Sequence, residues 1–222
     1  MTVTEDVRVR GTVVACGPAG ERAAAFGDLP LVRVGARPGK AEIDHLLGEH
    51  DRLVVVGTDA DLAAVVVRIM RRERLADVSV GFVPVPPGRV AAHRRLPADA
   101  EAAFAIAWKG TAVPVPLVRD DSGGVLLGYA NLGAVKGQAY CDEQVAFDGA
   151  VTSVEVTPDE AGVAAKVTRG RFVKRSATFR GRAFQIGCLP TSSLVIDGVA
   201  HEREINRWTW YRHTADLRLV LG

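Results

Sequence analysis

The sequence predicts an α/β domain followed by an all-β domain, on three observations. In the first half, apolar runs such as residues 53–56 alternate with helical patterns such as residues 59–72, which is typical of a parallel sheet covered by helices. After about Thr111 the helical spacing largely disappears. Short strand-like segments separated by turn residues follow, as in all-β folds. We therefore expect a Rossmann-like α/β domain at residues 1–112 and a β-sandwich domain at residues 113–222.

The individual elements follow from hydrophobic spacing and from turn residues. The first half is predicted to contain strands at residues 7–15, 31–34, 53–56 and 78–83, and helices at 40–49, 59–72 and 98–109. The helix at 59–72 begins with acids and ends with arginines, which complements the helix dipole. The second half is predicted to contain strands at residues 151–156, 164–168, 183–186, 193–196 and 215–221.

Composition narrows the class of protein. The 222 residues are 48% hydrophobic and carry a net charge of +2, which suits a protein with a real core and does not by itself indicate nucleic acid or an anionic membrane. The three cysteines have no metal-binding spacing, so reduced thiols are expected. Neither a signal peptide nor a run of roughly 20 apolar residues is present. We expect a cytoplasmic protein with no transmembrane segment and no nucleic-acid partner.

The segment with most functional content is Gly57-Thr58-Asp59-Ala60-Asp61. It follows a buried apolar strand and leads into an apolar helical pattern. In that arrangement the helix N-terminus presents free backbone N–H groups and a partial positive charge to a phosphate. The sequence therefore predicts the framework of a nucleotide site.

This loop resembles the Gly-Gly-Asp-Gly-Thr loop of diacylglycerol kinases and related lipid kinases. Residues 83–92 are similar to the second loop of that family, Pro-x-Gly-Thr-Gly-Asn before a helix. Residues 16–20 resemble its Asn-Pro-x-x-Gly turn, and residues 194–199 resemble its Asp-Gly-Glu segment. The four segments occur in the family's order and cover most of the chain.

The resemblance implies a cleft between the two domains that binds ATP and Mg²⁺, and transfer of the γ-phosphoryl group to a lipid hydroxyl. Asp59 falls on the aspartate of the first loop, and Asp197 falls on the family's candidate base. In an active member the nucleotide contacts would come from Gly57, Thr58, Asp59, Gly88 and Arg89. Asp59 and Asp61 would hold Mg²⁺, and Asp197 would accept the proton of the lipid hydroxyl.

Several residues depart from the family pattern. Thr58 and Ala60 replace glycines that let a backbone approach phosphate. Asp61 replaces a threonine and adds a carboxylate, which would repel a phosphate oxygen at 4 Å by about 4 kcal/mol at intermediate dielectric. Pro86 and Pro87 replace Gly-Thr in the second loop and have no N–H to donate. These changes predict a degraded nucleotide site.

Two hypotheses of different class remain open. The first is a divergent kinase that still transfers phosphate to a lipid with the help of Mg²⁺. The second is a pseudoenzyme that keeps the fold to bind a lipid, a small anion or phosphorylated ligand, or a protein partner. The sequence leaves open whether the chain is an enzyme and whether it forms a homodimer.

Two further patterns in the first half have simpler explanations. Residues 35–41 resemble a P-loop, but one spacer residue and the Ser or Thr that binds Mg²⁺ are missing. His45 and Glu49 lie four residues apart on a predicted helix and could share a metal. A solvated helix face is favoured, since no further ligand is suitably spaced.

Two patterns in the second half also have alternatives. Arg169, Arg171 and Arg175 share one predicted strand face, with Phe172 opposite. They could bind phosphate or lipid headgroups, although charge that protects a strand edge is favoured. The aromatic run at residues 207–213 is expected to anchor the core, and the alternative is a wall of the cleft with Arg212 or His213 towards a ligand.

Overall fold

A six-stranded sheet forms the centre of the N-terminal half. The computed structural model describes residues 10–27, 29–170 and 172–222. Residues 7–9 of the first predicted strand, and Arg171 of the predicted basic face, lie outside the described part. The strands of this sheet are β1 (Gly11–Cys16), β2 (Leu31–Val34), β3 (Arg52–Gly57), β4 (Ser79–Pro84), β5 (Thr111–Val115) and the last strand, β18 (Leu217–Leu221). Their order is β2-β1-β3-β4-β18-β5. Strands β1 to β4 pair in parallel, as the sequence predicts.

Helices cover both faces of this sheet. They are the 3₁₀ helix Pro18–Phe26 and α1 (Lys40–Ile43), α2 (Leu46–Glu49), α3 (Asp59–Arg71), α4 (Arg89–Arg94) and α5 (Ala100–Lys109). Val55 of β3 belongs to the core formed with α3, whereas Val54 belongs to the core formed with α5. Successive strand side chains point to opposite faces, so β3 is buried on both. The predicted helix at 40–49 is divided into α1 and α2.

Two antiparallel six-stranded sheets form most of the C-terminal half. The first has the order β10-β9-β14-β17-β6-β7 and the second the order β13-β12-β11-β8-β15-β16. Their bounds are β6 (Val118–Asp120), β7 (Val125–Leu126), β8 (Ala130–Leu132), β9 (Val135–Cys141), β10 (Gln144–Val151), β11 (Ser153–Asp159), β12 (Gly162–Arg169), β13 (Arg175–Gly181), β14 (Ala183–Ser192), β15 (Leu194–Ile196), β16 (Val199–Ala200) and β17 (Ile205–Arg212). Both sheets contribute to one core that contains Phe147, Val154 and Trp210.

The last strand departs from the predicted division at residues 112 and 113. Residues 215–221 are predicted to belong to the second domain, whereas β18 lies between β4 and β5 of the first sheet. Leu217 and Leu219 join the same core as α3. Alternating apolar residues specify a half-buried strand but not the sheet that it joins. The chain therefore returns to the α/β sheet after the β-rich part. Among the described residues, no helix is long and apolar enough to cross a membrane.

Candidate functional site

A cavity of about 540 Å³ lies beyond the carboxyl ends of the parallel strands. β1 pairs with β2 on one side and with β3 on the other, so the chain reverses its winding direction at this strand. Open α/β sheets bind ligands in the crevice at such a point. The walls are mostly apolar, and the residues that line the cavity include Pro18, Ala36, Arg37, Ala60, Asp61, Val85, Pro86 and Val199.

Asp61 caps the helix that begins beside this cavity. Its Oδ2 accepts hydrogen bonds from the backbone N–H and the hydroxyl of Thr58, both at 2.8 Å. Its Oδ1 accepts the backbone N–H of Arg37 at 2.7 Å. The Thr58 hydroxyl in turn accepts the N–H of Asp61 at 3.3 Å, which completes a reciprocal capping box. Both carboxylate oxygens of Asp61, predicted to bind Mg²⁺, therefore already have donors from the protein.

Gly57 provides the space that the Asp61 carboxylate occupies. A Cβ atom at position 57 would lie 2.7 Å from Asp61 Oδ2 and 3.1 Å from Cys16 Cβ. Gly57 itself is buried. The absence of a side chain at position 57 therefore allows the close contact with Asp61.

Asp59 is turned towards the start of α4. Its Oδ2 accepts the N–H of Val90 at 3.1 Å, and a Cβ atom at Gly88 would lie only 2.6 Å from Asp59 Cγ. Its Oδ1 is buried without a hydrogen-bond partner among the described residues. Burial raises the pKa of Asp59, although hydrogen bonds from Val90 and Arg89 oppose the rise. The protein's own carboxylate thus occupies the start of the second predicted phosphate loop.

Asp197 lies in the turn between β15 and β16 with a left-handed φ of 47°. Its carboxylate accepts three backbone N–H groups, from Leu127 at 2.9 Å, Gly128 at 2.8 Å and Tyr129 at 3.0 Å. The pKa of Asp197 is raised to about 6: burial is the largest cause, the negative charge of Asp59 adds to the rise, and the three hydrogen bonds oppose it. The Asp197 carboxylate is therefore enclosed by the backbone of residues 127–129, and it holds that segment in place.

The structure brings Asp59 and Asp197 to the same junction. Gly128, which donates to Asp197, packs against the N-terminus of α4, and a Cβ atom at position 128 would lie 3.1 Å from the nitrogen of Val90. That nitrogen is the donor to Asp59. Asp59 therefore fixes the start of α4 and Asp197 fixes the 127–129 segment, and these two segments meet where the α/β half contacts the β-rich half.

Arg89 and the two prolines complete the second loop. Arg89 is exposed, and its guanidinium lies 4.9 Å from the ring centroid of Tyr129, a cation–π contact. Pro86 and Pro87 are exposed and have no N–H to donate. This loop therefore offers a positive charge near the junction but few backbone donors.

The P-loop-like segment at residues 35–41 also closes on a carboxylate. Glu42 accepts the N–H of Gly35 at 2.7 Å and that of Gly39 at 3.0 Å. These two hydrogen bonds lower the pKa of the Glu42 carboxyl. Three backbone donors of this loop, at Gly35, Arg37 and Gly39, are therefore used within the protein.

The residues present do not fit Mg²⁺ and ATP. The N–H groups that would face phosphate at Arg37, Thr58 and Val90 donate to aspartates. Asp61 has no unshared oxygen for a metal. No group of three or more His, Cys, Asp or Glu side chains in the described part of the chain could hold a metal ion.

A second cavity of about 440 Å³ adjoins the first, and sequence reasoning did not identify it. Arg37 and Val199 line both cavities. The second is also lined by Ile196, Ala200, His201, Glu202 and Arg203. The 35–41 loop and the 194–199 segment each had a sequence signal, but nothing local indicates that these two segments, distant in the chain, line one cavity.

The remaining sequence patterns have structural roles. Trp208 and Trp210 are buried in the core of the β-rich half, as expected. Arg212 pairs with Asp216 at 3.1 Å. His45 and Glu49 are both exposed, which agrees with a solvated helix face.

Comparison with known proteins places the fold. No family model and no curated protein matches the sequence. The structure is similar to that of a diacylglycerol kinase from Bacillus anthracis str. Sterne, with a TM-score of 0.75 and 11% identity over 97% of this chain and 98% of that chain. It is also similar to an NAD kinase from Archaeoglobus fulgidus in complex with ATP, with a TM-score of 0.59 and 11% identity over 95% and 92% of the two chains. The predicted resemblance is confirmed at the level of fold: this chain has the fold of these kinases.

Proposed function

We propose that this protein is a non-catalytic member of the lipid-kinase fold, which binds an amphiphilic ligand with an anionic end. The observation that carries the proposal is the hydrogen bonding of Asp61. Its carboxylate takes the N–H groups of Thr58 and Arg37, where the resemblance expects phosphate. A triphosphate would have to displace this carboxylate and would meet its negative charge.

The shape and chemistry of the two adjoining cavities support the ligand class. Their volumes of about 540 and 440 Å³ lie in the range of small-molecule sites. The walls of the first are mostly apolar and suit an alkyl chain. Arg37, on the wall common to both cavities, and Arg203 of the second suit a carboxylate or phosphate monoester. Glu202 also lines the second cavity, and its carboxylate would repel a second anionic group of the ligand there.

The proposal accounts for the kinase-like neighbours without assigning phosphoryl transfer to this chain. The fold alone does not determine the function. The three carboxylates that the resemblance places in the site, Asp59, Asp61 and Asp197, accept hydrogen bonds from six different residues. Phosphoryl transfer depends on positioning and on charge neutralisation. These acids instead serve to close loops.

Calorimetric titration with dodecyl phosphate, kept below its micelle concentration, tests the proposal. We expect dodecyl phosphate to bind the wild-type protein saturably. Dodecyltrimethylammonium, which has the same alkyl chain and the opposite charge, should not bind. Ala60→Phe should abolish binding by filling the first cavity. Arg37→Asn should weaken binding about tenfold by removing the charge, as expected for a partly exposed charged hydrogen bond, while Asn tolerates the positive φ of 50° at this position.

Ala92→Phe is the matched control, because Ala92 is exposed on α4 and does not line the first cavity. It should bind dodecyl phosphate like the wild type. Equal affinity of the wild type for both alkyl compounds, or undiminished binding to Ala60→Phe, would contradict the proposed site. Saturable Mg-ATP binding with phosphate transfer to diacylglycerol would contradict the non-catalytic assignment.

A further inference from the structure

The β12–β13 hairpin carries an exposed apolar tip. This tip, defined here as residues 170 and 172–174, joins β12 to β13. Phe172 is 95% exposed and Val173 is 72% exposed. Large apolar side chains with so little cover are uncommon on soluble domains when they are adjacent, and they indicate an interaction site. β13 is the edge strand of its sheet, and six of its seven residues are exposed or half-buried.

Basic residues surround the apolar tip. Lys174 belongs to it, and Arg169 and Arg175 stand at its base. Arg169 and Arg175 pair directly across the two strands, a position in which like charges are destabilising. Among the described residues, no acidic side chain forms a salt bridge with any of the three. A negatively charged partner would relieve this repulsion.

We propose that the β12–β13 tip docks the protein on an anionic lipid bilayer. Phe172 and Val173 would enter the boundary between headgroups and acyl chains, while Lys174, Arg169 and Arg175 would contact the anionic headgroups. This arrangement of an apolar end with cations behind it matches the polarity gradient of a membrane surface. The proposal is independent of the ligand cavities, because the tip and the cavities share no residue.

The tip lies beside a second exposed apolar pair. The Arg169 guanidinium donates to the carbonyl of Ala146 on β10 at 3.2 Å. Val145, next to Ala146, is 53% exposed, and it pairs across the strands with Tyr140, which is 40% exposed. β10 is an edge strand of the other sheet, and the exposed pair includes a tyrosine, which has the amphipathic character favoured at membrane interfaces.

Co-sedimentation with lipid vesicles tests the proposal on the full chain. Wild-type protein should bind vesicles that contain phosphatidylglycerol, and binding to pure phosphatidylcholine should be at least tenfold weaker. Phe172→Ser with Val173→Ser should weaken binding at least tenfold, on the order expected when two apolar side chains no longer enter the bilayer. Lys174→Glu with Arg175→Glu should weaken vesicle binding by about fivefold for each basic residue lost. The loss should be larger at low salt than at high salt.

Leu189→Ser is the control for lost apolar surface, because Leu189 is 79% exposed on β14. Lys109→Glu with Lys136→Glu is the control for charge reversal at exposed positions outside the tip. Both control proteins should bind as the wild type does. Equal binding of the wild type to both vesicle types, or undiminished binding by the Phe172 and Val173 variant, would overturn the proposal.

A fluorophore at the tip distinguishes membrane insertion from self-association. The three native cysteines are buried, so an environment-sensitive label can be attached at Phe172→Cys. The emission should shift to shorter wavelength with phosphatidylglycerol vesicles and remain unchanged as protein concentration rises without lipid. A shift that depends on protein concentration alone, together with a dimer in size-exclusion chromatography, would assign the tip to contacts between copies and overturn the membrane proposal.

Discussion

Replacing Asp61 by alanine separates a capping role from a metal-binding role by the sign of the stability change. The wild-type carboxylate accepts three hydrogen bonds, from the N–H and hydroxyl of Thr58 and from the N–H of Arg37. Alanine leaves the two N–H groups without this acceptor. Each unsatisfied buried group costs about 1–3 kcal/mol. Because Arg37 is exposed, water can reach part of this site, and we expect a total loss of about 3 kcal/mol.

The measurement is urea denaturation followed by circular dichroism and tryptophan fluorescence. Asp61→Asn keeps one acceptor oxygen and should lose about half as much stability as Asp61→Ala. Asp99→Ala is the matched control: Asp99 caps α5 through one hydrogen bond of 2.8 Å to the N–H of Ala102. Loss of that single cap should cost about 1 kcal/mol.

A carboxylate kept for a metal or for catalysis behaves differently. Without the metal it is an uncompensated charge, and its removal leaves the free energy of unfolding unchanged or increases it. A result in which Asp61→Ala is as stable as the wild type would therefore refute the capping argument. It would also restore Asp61 as a candidate Mg²⁺ ligand.

Three other predictions concern neighbouring contacts. Gly88→Ala should lower the free energy of unfolding by about 2–3 kcal/mol through overpacking against Asp59, and Asp59→Ser in the same chain should recover most of that loss in a double-mutant cycle. Burial raises the pKa of Asp197 to about 6, above its unfolded value of about 4. Its contribution to the free energy of unfolding should therefore fall by about 3 kcal/mol as pH rises from about 4 to about 6. Asp197→Asn should remove that slope in urea titrations at pH 4.5 and 7, and parallel slopes would contradict the raised pKa. Arg68→Met should cost about 1–2 kcal/mol by breaking the mostly buried pair with Asp44, whose two bonds are 2.8 and 2.9 Å long; an unchanged melting temperature would show that the pair contributes nothing.

Most elements of the α/β part could be predicted from the sequence, because the hydrophobic pattern of each element lies within a short segment of the chain. The apolar run of β3 and the helical spacing of α3 each specify one element without reference to the rest of the chain. The role of Asp61 was also available locally. Thr58 and Asp61 stand three residues apart before an apolar helix, which is the capping-box pattern. The resemblance to the lipid-kinase loop instead predicts that the Asp61 carboxylate holds Mg²⁺.

Long-range contacts explain what the sequence did not predict. Asp197 is held by the N–H groups of Leu127, Gly128 and Tyr129, about 70 residues away in the chain. The second cavity joins Arg37 to a hairpin that begins more than 150 residues later. β18 joins the first sheet although it follows the β-rich part. Residue patterning specifies which face of a strand is buried, but not which distant partner covers it.

The central claim is that the protein's own carboxylates occupy the phosphate positions, and the most direct test compares two ligands in one thermal unfolding experiment. We expect 5 mM Mg-ATP to shift the melting temperature of the wild-type protein by less than about 1 °C, because a site that binds weakly stabilises little. Dodecyl phosphate at about 100 times its dissociation constant should stabilise the protein by about 2.7 kcal/mol, a shift of about 5–10 °C. A shift of several degrees with Mg-ATP, and none with dodecyl phosphate, would contradict the account.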